Sequence, residues 1–325
     1  MQIHSNKHNL NYVSHNQDMS CFNFATDNIV HVCDTNPFKT KFSTKVQTDY
    51  VDHIEKIFLA EMYYKSNIIF VVYRSNKHKV SIWNDIERKF VAELEFREEI
   101  CNLLIRKNKI IVITNKHVYI YSFTDLKIIE SIETYTNDLG ICTANMIEDN
   151  FVLAVPVSMG NVKIYKRKDG KNLFFNLEVH ESYIRYLCLD NSGKLLATCS
   201  EKGTIIRVFD VESGEKLHEL RRGGKKADIQ CIKFNDTTSK LCVLSNTGTV
   251  HIYDLSCKSS LSLFSNIYNN AKRSEYNISI HEKLSICFFI GDDLVILGSS
   301  GKYYKYKFGG DSYTLESTEL FVDDQ

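Results

Sequence analysis

Short runs in which apolar and polar residues alternate recur along the whole chain. They read IVHVCD, VSIWND, VYIYSF, VKIYKR, IIRVFD, VHIYDL and YYKYKF. Alternation with a period of two is typical of a half-buried β-strand. Each run carries an aromatic residue, or Cys in the first, at the same place: Cys33, Trp83, Tyr121, Tyr165, Phe209, Tyr253 and Tyr306.

These anchors are spaced by about 44 residues through the middle of the chain, a period typical of β-propeller blades. The unit around Phe209 shows the order within one blade. Its predicted strands are 184–189, 195–200, 205–210 and 217–222, separated by turns rich in Asp, Asn, Ser and Gly. We therefore expect an all-β, seven-bladed, WD40-like propeller that forms one domain over residues 1–325. The polar segment NLNYVS is expected to pair into the last blade and close the ring, because closure removes exposed sheet edges.

The sixth repeat carries an insertion. The last two anchors are further apart than the period, and the additional residues fall in 255–283. We place this insertion between the third and fourth strands of blade six. Long loops on a compact domain are commonly functional or disordered.

Composition restricts the chemistry that the chain can perform. Lys+Arg and Asp+Glu both number 40, so the net charge is zero and general nucleic-acid binding is not expected. No C-x-x-C or nucleotide-binding glycine motif occurs among the ten cysteines and 14 glycines, so we expect no metal, no cofactor and no enzyme activity. The polar N-terminal segment predicts a cytosolic protein with reduced thiols.

Two adjacent arginines, Arg221 and Arg222, stand out in the stretch ELRRGG. They end the predicted fourth strand of blade five, where successive side chains point to opposite sides. The pair therefore cannot clamp one small anion, but each arginine can line its own pocket. The alternative is an exposed arginine pair bonded to carboxylates at strand ends, such as Glu219.

Hydroxyl and imidazole groups occur at matching places in blades five and six. SEKGTIIRVF provides Ser200, Thr204 and Arg207, and SNTGTVHIY provides Ser245, Thr247, Thr249 and His251. This mixture suits a phosphate group, which accepts several hydrogen bonds and the planar fork of a guanidinium. Histidines that line such pockets are expected to bind the anion more tightly as they become protonated.

Several stretches of this chain resemble the PROPPIN family, to which the WIPI proteins belong. In blades five and six they are ELRRG, SEKGTIIRVFD, CIKFN and GTVHIYD. Near the N-terminus they are HNQDMSCFNFATDNIVHVCDTNPF and VSIWNDIERKFVAELEF. The resemblance covers nearly the whole chain. It implies binding of phosphatidylinositol 3-phosphate and 3,5-bisphosphate at two sites. The first would consist of His180, Ser200, Thr204, Arg207 and Arg221. The second would consist of Arg222, Ser245, Thr247, Thr249 and His251.

The same resemblance implies a membrane-inserting loop within 255–283, with apolar side chains at Leu261, Leu263, Phe264, Ile267 and Tyr268. It also implies a monomer that recruits autophagy proteins, namely lipid-transfer and conjugation-complex components, to endosomal, vacuolar and pre-autophagosomal membranes. Asn16, Gln17 and Asp18 match a family position tied to the lipid-transfer partner; the alternative for them is an ordinary Asx turn. The alternative for the whole protein is a WD40-type scaffold that binds only proteins.

Overall fold

A computed structural model describes residues 1–2, 10–47, 55–168, 170–256, 271–309 and 312–322. Within these ranges, regular structure consists of β-strands arranged in seven sheets, which we number one to seven along the chain. All named strand pairs are antiparallel except one in sheet five. Each sheet contains one of the seven repeats, with its anchor residue in the third strand. The all-β fold with seven blades is therefore confirmed.

The chain divides into two compact units, and the first contains sheets one to three. Sheet one consists of β1 (Leu10–His15), β2 (Cys21–Thr26), β3 (Ile29–Asp34) and β4 (Lys39–Lys45). Sheet two consists of β5 (Ile57–Met62), β6 (Ile68–Tyr73), β7 (Lys79–Asn84) and β8 (Lys89–Glu95). Sheet three consists of β9 (Ile100–Arg106), β10 (Lys109–Thr114), β11 (His117–Ser122) and β12 (Ile128–Glu133).

The second unit contains sheets four to six. Sheet four consists of β13 (Thr143–Ala144), β14 (Phe151–Ser158), β15 (Asn161–Lys168) and β16 (Lys171–Glu178). Sheet five consists of β17 (Ile184–Leu189), β18 (Leu195–Ser200), β19 (Ile205–Asp210), β20 (Lys216–Arg221) and the short β24 (Lys272–Arg273). Sheet six consists of β21 (Ile229–Phe234), β22 (Lys240–Ser245), β23 (Thr249–Asp254) and β25 (Tyr276–Ser279).

Sheet seven, whose residues are shared between the two units, consists of β26 (Ser285–Ile290), β27 (Asp293–Gly298), β28 (Lys302–Gly309) and β29 (Ser312–Leu320). The prediction that NLNYVS pairs into the last blade is wrong. Its strand, β1, pairs with β2 and opens sheet one, and sheet seven takes its fourth strand from the C-terminal β29. The physical reason is local: β1 and β2 are joined by a short turn, and a strand pairs most readily with its chain neighbour.

Alternation along the strands explains the core. In sheets five and six, the apolar residues Ile206, Val208, Leu220, Ile232 and Leu241 are fully buried and pack into one cluster. Burying a side chain of this size stabilises the fold by about 1.5–3 kcal/mol. The polar neighbours of these residues on the same strands are thereby turned to the opposite face, which holds Arg207 and Glu219.

Two details of sheet five set the position of the arginines. β20 ends at Arg221, one residue before the predicted end, and the Arg222 amide donates to the Thr204 carbonyl at 2.9 Å. The sheet also gains β24, which runs parallel to β20 on its outer edge. The residues between β23 and β25, which include β24, fall within the predicted insertion.

Candidate functional site

Arg207 is the centre of a first cluster, which occupies one face of sheet five. In the strand register, Arg207 lies between Thr198 on β18 and Glu219 on β20. Its Nη1 donates to the Val179 carbonyl at 2.8 Å, and its Nε donates to Glu219 Oε2 at 3.1 Å. The Lys216 ammonium lies 2.7 Å from the same carboxylate oxygen. Arg207 is therefore held in place, and part of its charge is already balanced.

His180 belongs to this cluster and is buried. Its Nε2 lies 3.0 Å from the Thr198 hydroxyl. Burial, followed by the charge of Arg207, lowers the pKa of His180 to about 4. At neutral pH its imidazole is uncharged, so His180 can hydrogen-bond a ligand but brings no positive charge.

Ser200 and Thr204 lie at the two ends of the turn between β18 and β19. Ser200 is buried at the end of β18, and its carbonyl accepts the Gly203 amide at 2.9 Å. Gly203 has a φ of 61°, and a Cβ at this position would lie 2.0 Å from the Ala227 carbonyl oxygen. Only glycine allows this close approach. The turn is thus pressed against the segment that follows the two arginines.

Arg221 lies on the same face as Glu219 and Arg207, because its register partner on β19 is Ile205, two residues before Arg207. It is exposed. Glu219 does not bond to it but to Arg207 and Lys216. Among the described residues, no carboxylate forms an ion pair with Arg221. For Arg221, the alternative of an ion pair with a strand-end carboxylate such as Glu219 is therefore not observed among the described residues.

Arg222 follows the end of β20 and is half-buried. Its Nε donates to the Gly203 carbonyl at 2.8 Å, and its Nη2 donates to the Lys225 carbonyl. Burial lowers its pKa, and the neighbouring Tyr253 of sheet six opposes that shift. In the described part of the chain, Arg222 also has no ion pair with a carboxylate. Its charge is therefore not balanced by a carboxylate among the described residues.

A second cluster occupies sheet six. Ser245 is buried and pairs with Thr249, and its hydroxyl lies 2.7 Å from the Thr247 hydroxyl. His251 comes two residues after Thr249 and so lies on the same face. Burial, followed by the charge of Arg222, lowers the pKa of His251. The positive charge of Arg222 therefore acts on the imidazole of His251.

Three side chains at these clusters were not among the sequence-based candidates. Thr198 links His180 to Arg207, and strand alternation from Ser200 could have identified it. The Ser274 hydroxyl lies 3.3 Å from His251 Nδ1 and donates to Asn277 Oδ1 at 2.7 Å. No sequence signal identifies Ser274 and Asn277, because both lie within the predicted insertion 255–283, where strand register cannot be counted.

The candidate partner-binding triad lies in the turn between β1 and β2, in the first unit. Asn16 is fully buried and its Oδ1 accepts the Cys21 amide at 3.0 Å. Gln17 donates to the Met62 carbonyl at 2.7 Å. Asp18 is the exposed member, and its carboxylate accepts the Ser20 amide at 3.1 Å. Asn16 and Gln17 thus build the turn, and Asp18 is the side chain that a partner could contact.

The five apolar residues of the candidate membrane loop, Leu261, Leu263, Phe264, Ile267 and Tyr268, lie outside the described residues. Within the described ranges there is no cluster of His, Cys, Asp and Glu suited to a metal ion. The same ranges contain no helix with the length and hydropathy needed to cross a bilayer.

Comparison with known proteins shows that this chain is similar to one family of β-propeller proteins. The family model of PROPPIN matches residues 18–262, which is more than half of the chain. Hsv2 of Kluyveromyces lactis, solved with its complete loop 6CD, superposes with a TM-score of 0.79 at 20% identity, covering 97% of this chain and 100% of that one. The fold is therefore that of a β-propeller, and the chain belongs to the PROPPIN family.

Its relatives are autophagy-related proteins. Autophagy-related protein 18 of Aspergillus clavatus is 29% identical over 78% of this chain and 64% of its own length. This chain thus spans slightly less than two thirds of that relative. Autophagy-related protein 18e of Arabidopsis thaliana is 27% identical over 95% of this chain and 87% of its own. KlAtg21, solved in complex with the coiled-coil of AgAtg16, superposes with a TM-score of 0.80 at 24% identity, covering 96% of this chain and 99% of that one.

Proposed function

We propose that this protein is a non-enzymatic scaffold that binds phosphatidylinositol 3-phosphate and phosphatidylinositol 3,5-bisphosphate on membranes. The first headgroup site consists of His180, Ser200, Thr204, Arg207 and Arg221. The second consists of Arg222, Ser245, Thr247, Thr249 and His251.

One observation carries this proposal. Arg221 and Arg222 have no carboxylate partner among the described residues. Arg221 lies on the face of sheet five that holds Arg207, whereas the charge of Arg222 acts on Tyr253 and His251 of sheet six. Each has hydroxyl groups and an imidazole on its own side. A phosphate monoester needs this combination, because it accepts several hydrogen bonds and carries up to two negative charges. Membership of the PROPPIN family supports the same ligand.

Two headgroup sites on one rigid edge would bind as a bivalent unit. Each contact alone is expected to be weak, but the second becomes intramolecular once the first has formed. Lys225 and Lys226 are exposed beside the arginines and would add about 1 kcal/mol each at an anionic surface. The apolar side chains of the insertion, Leu261 to Tyr268, would add burial in the lipid.

On the membrane, the protein would recruit autophagy proteins. The similarity to KlAtg21, solved with the coiled-coil of AgAtg16, supports a partner from the conjugation machinery. The exposed Asp18 is our candidate contact for a lipid-transfer partner. We place this activity at endosomal, vacuolar and pre-autophagosomal membranes, to which a cytoplasmic monomer would bind peripherally.

The test is flotation with phosphatidylcholine vesicles that contain phosphatidylinositol 3-phosphate. We expect replacement of Arg221 and Arg222 by threonine to abolish binding and to leave the circular dichroism spectrum unchanged. The matched control replaces Lys225 and Lys226 by threonine, which removes the same amount of charge from positions beside the arginines. At about 1 kcal/mol for each lysine, it should weaken binding by about thirtyfold without abolishing it. Undiminished flotation of the double-arginine variant would refute the site. If the wild-type protein binds none of the vesicles but binds a coiled-coil partner, the result would instead favour a scaffold that binds only proteins.

A further inference from the structure

β24 brings another arginine beside Arg221. In the parallel pairing of β20 with β24, Leu220 is opposite Lys272 and Arg221 is opposite Arg273. Register partners in neighbouring strands place their side chains on the same face of a sheet. The Arg221 and Arg273 side chains therefore start from neighbouring backbone positions on one face, although 52 positions separate them in the sequence.

The charge of this pair is not balanced by the described residues. Both arginines are exposed, and no carboxylate in the described ranges forms an ion pair with either of them. The nearest carboxylate along β20, Glu219, is already bonded to Arg207 and Lys216. Like charges opposite each other in a sheet are destabilising. An anion between them would reverse that cost.

Lys272, which precedes Arg273 on β24, has a partner of its own and is not part of the arginine pair. The Lys272 ammonium donates to the Asp254 carbonyl at the end of β23. Lys272 is thus held against sheet six, whereas Arg273 is left beside Arg221. The backbone pairing that aligns the two arginines is therefore fixed by contacts that do not involve the guanidinium of Arg273.

We propose that Arg273 is a further anion-binding residue, which forms with Arg221 a two-guanidinium clamp for one phosphate monoester. This inference rests on the proposed function, because the clamp forms the outer part of the first headgroup site. Two planar guanidinium groups can each donate two parallel hydrogen bonds to one tetrahedral phosphate from different sides. An ammonium group cannot form this bidentate contact. The ligand chemistry is shared by a lipid headgroup and by a soluble inositol phosphate.

The experiment compares Arg273→Ala, Arg273→Lys and the matched control Lys226→Ala. Two probes are used: phosphatidylcholine vesicles with phosphatidylinositol 3-phosphate, and soluble inositol 1,3-bisphosphate measured by calorimetry without membrane. We expect both Arg273 variants to lose about tenfold in affinity for both probes, since a charge-assisted bidentate contact has about this value. Lys226→Ala removes a lysine that contacts only the membrane surface, so it should weaken vesicle binding by about fivefold and leave calorimetry unchanged.

Each other outcome is decisive. If Arg273→Lys binds like the wild type, only the charge matters and the clamp is wrong. If the Arg273 variants weaken vesicle binding but not calorimetry, Arg273 is a general membrane contact and the clamp is again wrong. If the variants bind both probes normally while the wild type binds vesicles, the clamp fails but the proposed function stands. A wild-type protein that binds neither probe overturns the proposed function itself.

Discussion

The middle of the third strand holds Arg207 in sheet five and His251 in sheet six, at matching places in two successive repeats. Arg207 is permanently charged and is held by Glu219 and by a backbone carbonyl. His251 is half-buried, and the nearby charge of Arg222 lowers its pKa. The first cluster therefore contains its own anion, whereas the described residues of the second provide none.

The two arginines at the end of β20 also differ from each other. Arg221 is exposed at the sheet edge. Arg222 is half-buried and bonded to the carbonyls of Gly203 and Lys225. A side chain fixed by backbone carbonyls loses less entropy when it binds a ligand than one that is ordered only on binding. The comparison teaches that Arg222 of the second cluster is preorganised, whereas we expect the exposed Arg221 of the first cluster to become ordered when a ligand binds.

The largest effect should come from Arg222→Ala. It removes the preorganised guanidinium together with its hydrogen bonds, so we expect vesicle binding to fall more than tenfold and the free energy of unfolding to fall by about 2 kcal/mol. Arg221→Ala should also weaken binding, but the free energy of unfolding should change by less than ~0.5 kcal/mol, because the side chain is exposed.

Flotation combined with urea denaturation measures both quantities for the two variants. Equal losses of stability would contradict the distinction between a preorganised and an exposed arginine. Equal stability with a loss of binding in Arg221→Ala alone would reverse the comparison and make the first cluster the stronger site.

Glu219→Gln should have a smaller effect, in the opposite direction. The carboxylate now balances Arg207 and Lys216, and its pKa is held below its ordinary value mainly by those two cations, against its burial. Removing its charge leaves both cations available to an anionic ligand. We expect binding at the first cluster to become up to about fivefold tighter, in line with the modest strength of exposed ion pairs.

This measurement is best made in the Arg222→Ala background, where the second cluster no longer contributes. The control is Glu215→Gln, which removes a neighbouring carboxylate that forms no ion pair among the described residues. Weaker binding by Glu219→Gln would mean that the carboxylate acts chiefly by orienting Arg207.

The seven repeats and the divergence of the two arginines can be predicted from the sequence alone. The pairing between strands cannot, and the reason is physical. Alternation along 217–222 predicts that Arg221 and Arg222 diverge, since side-chain direction in a strand has a fixed period of two. The role of NLNYVS was predicted wrongly, because alternation identifies a strand but not its partner. Glu219 and Arg273 show the same limit: their partners come from a neighbouring strand, and pairing across a sheet depends on register, which no single strand encodes.

The smallest effect concerns pH and separates the two histidines. A bound phosphate raises the pKa of a nearby imidazole, so binding takes up a proton and becomes tighter as the pH falls through the pKa of the complex. His180, with a pKa of about 4 and a bond to Thr198, stays neutral from about pH 7.5 to 6 and should contribute little there. His251, on which the charge of Arg222 acts, is the candidate for the group that takes up this proton.

We expect wild-type affinity to increase about threefold relative to His251→Gln as the pH falls from about 7.5 to 6, whereas His180→Gln should follow the wild type. The protonation of the lipid phosphate itself affects all three proteins equally and cancels in the ratio. A slope that persists in His251→Gln but disappears in His180→Gln would show that the first cluster, not the second, senses the proton.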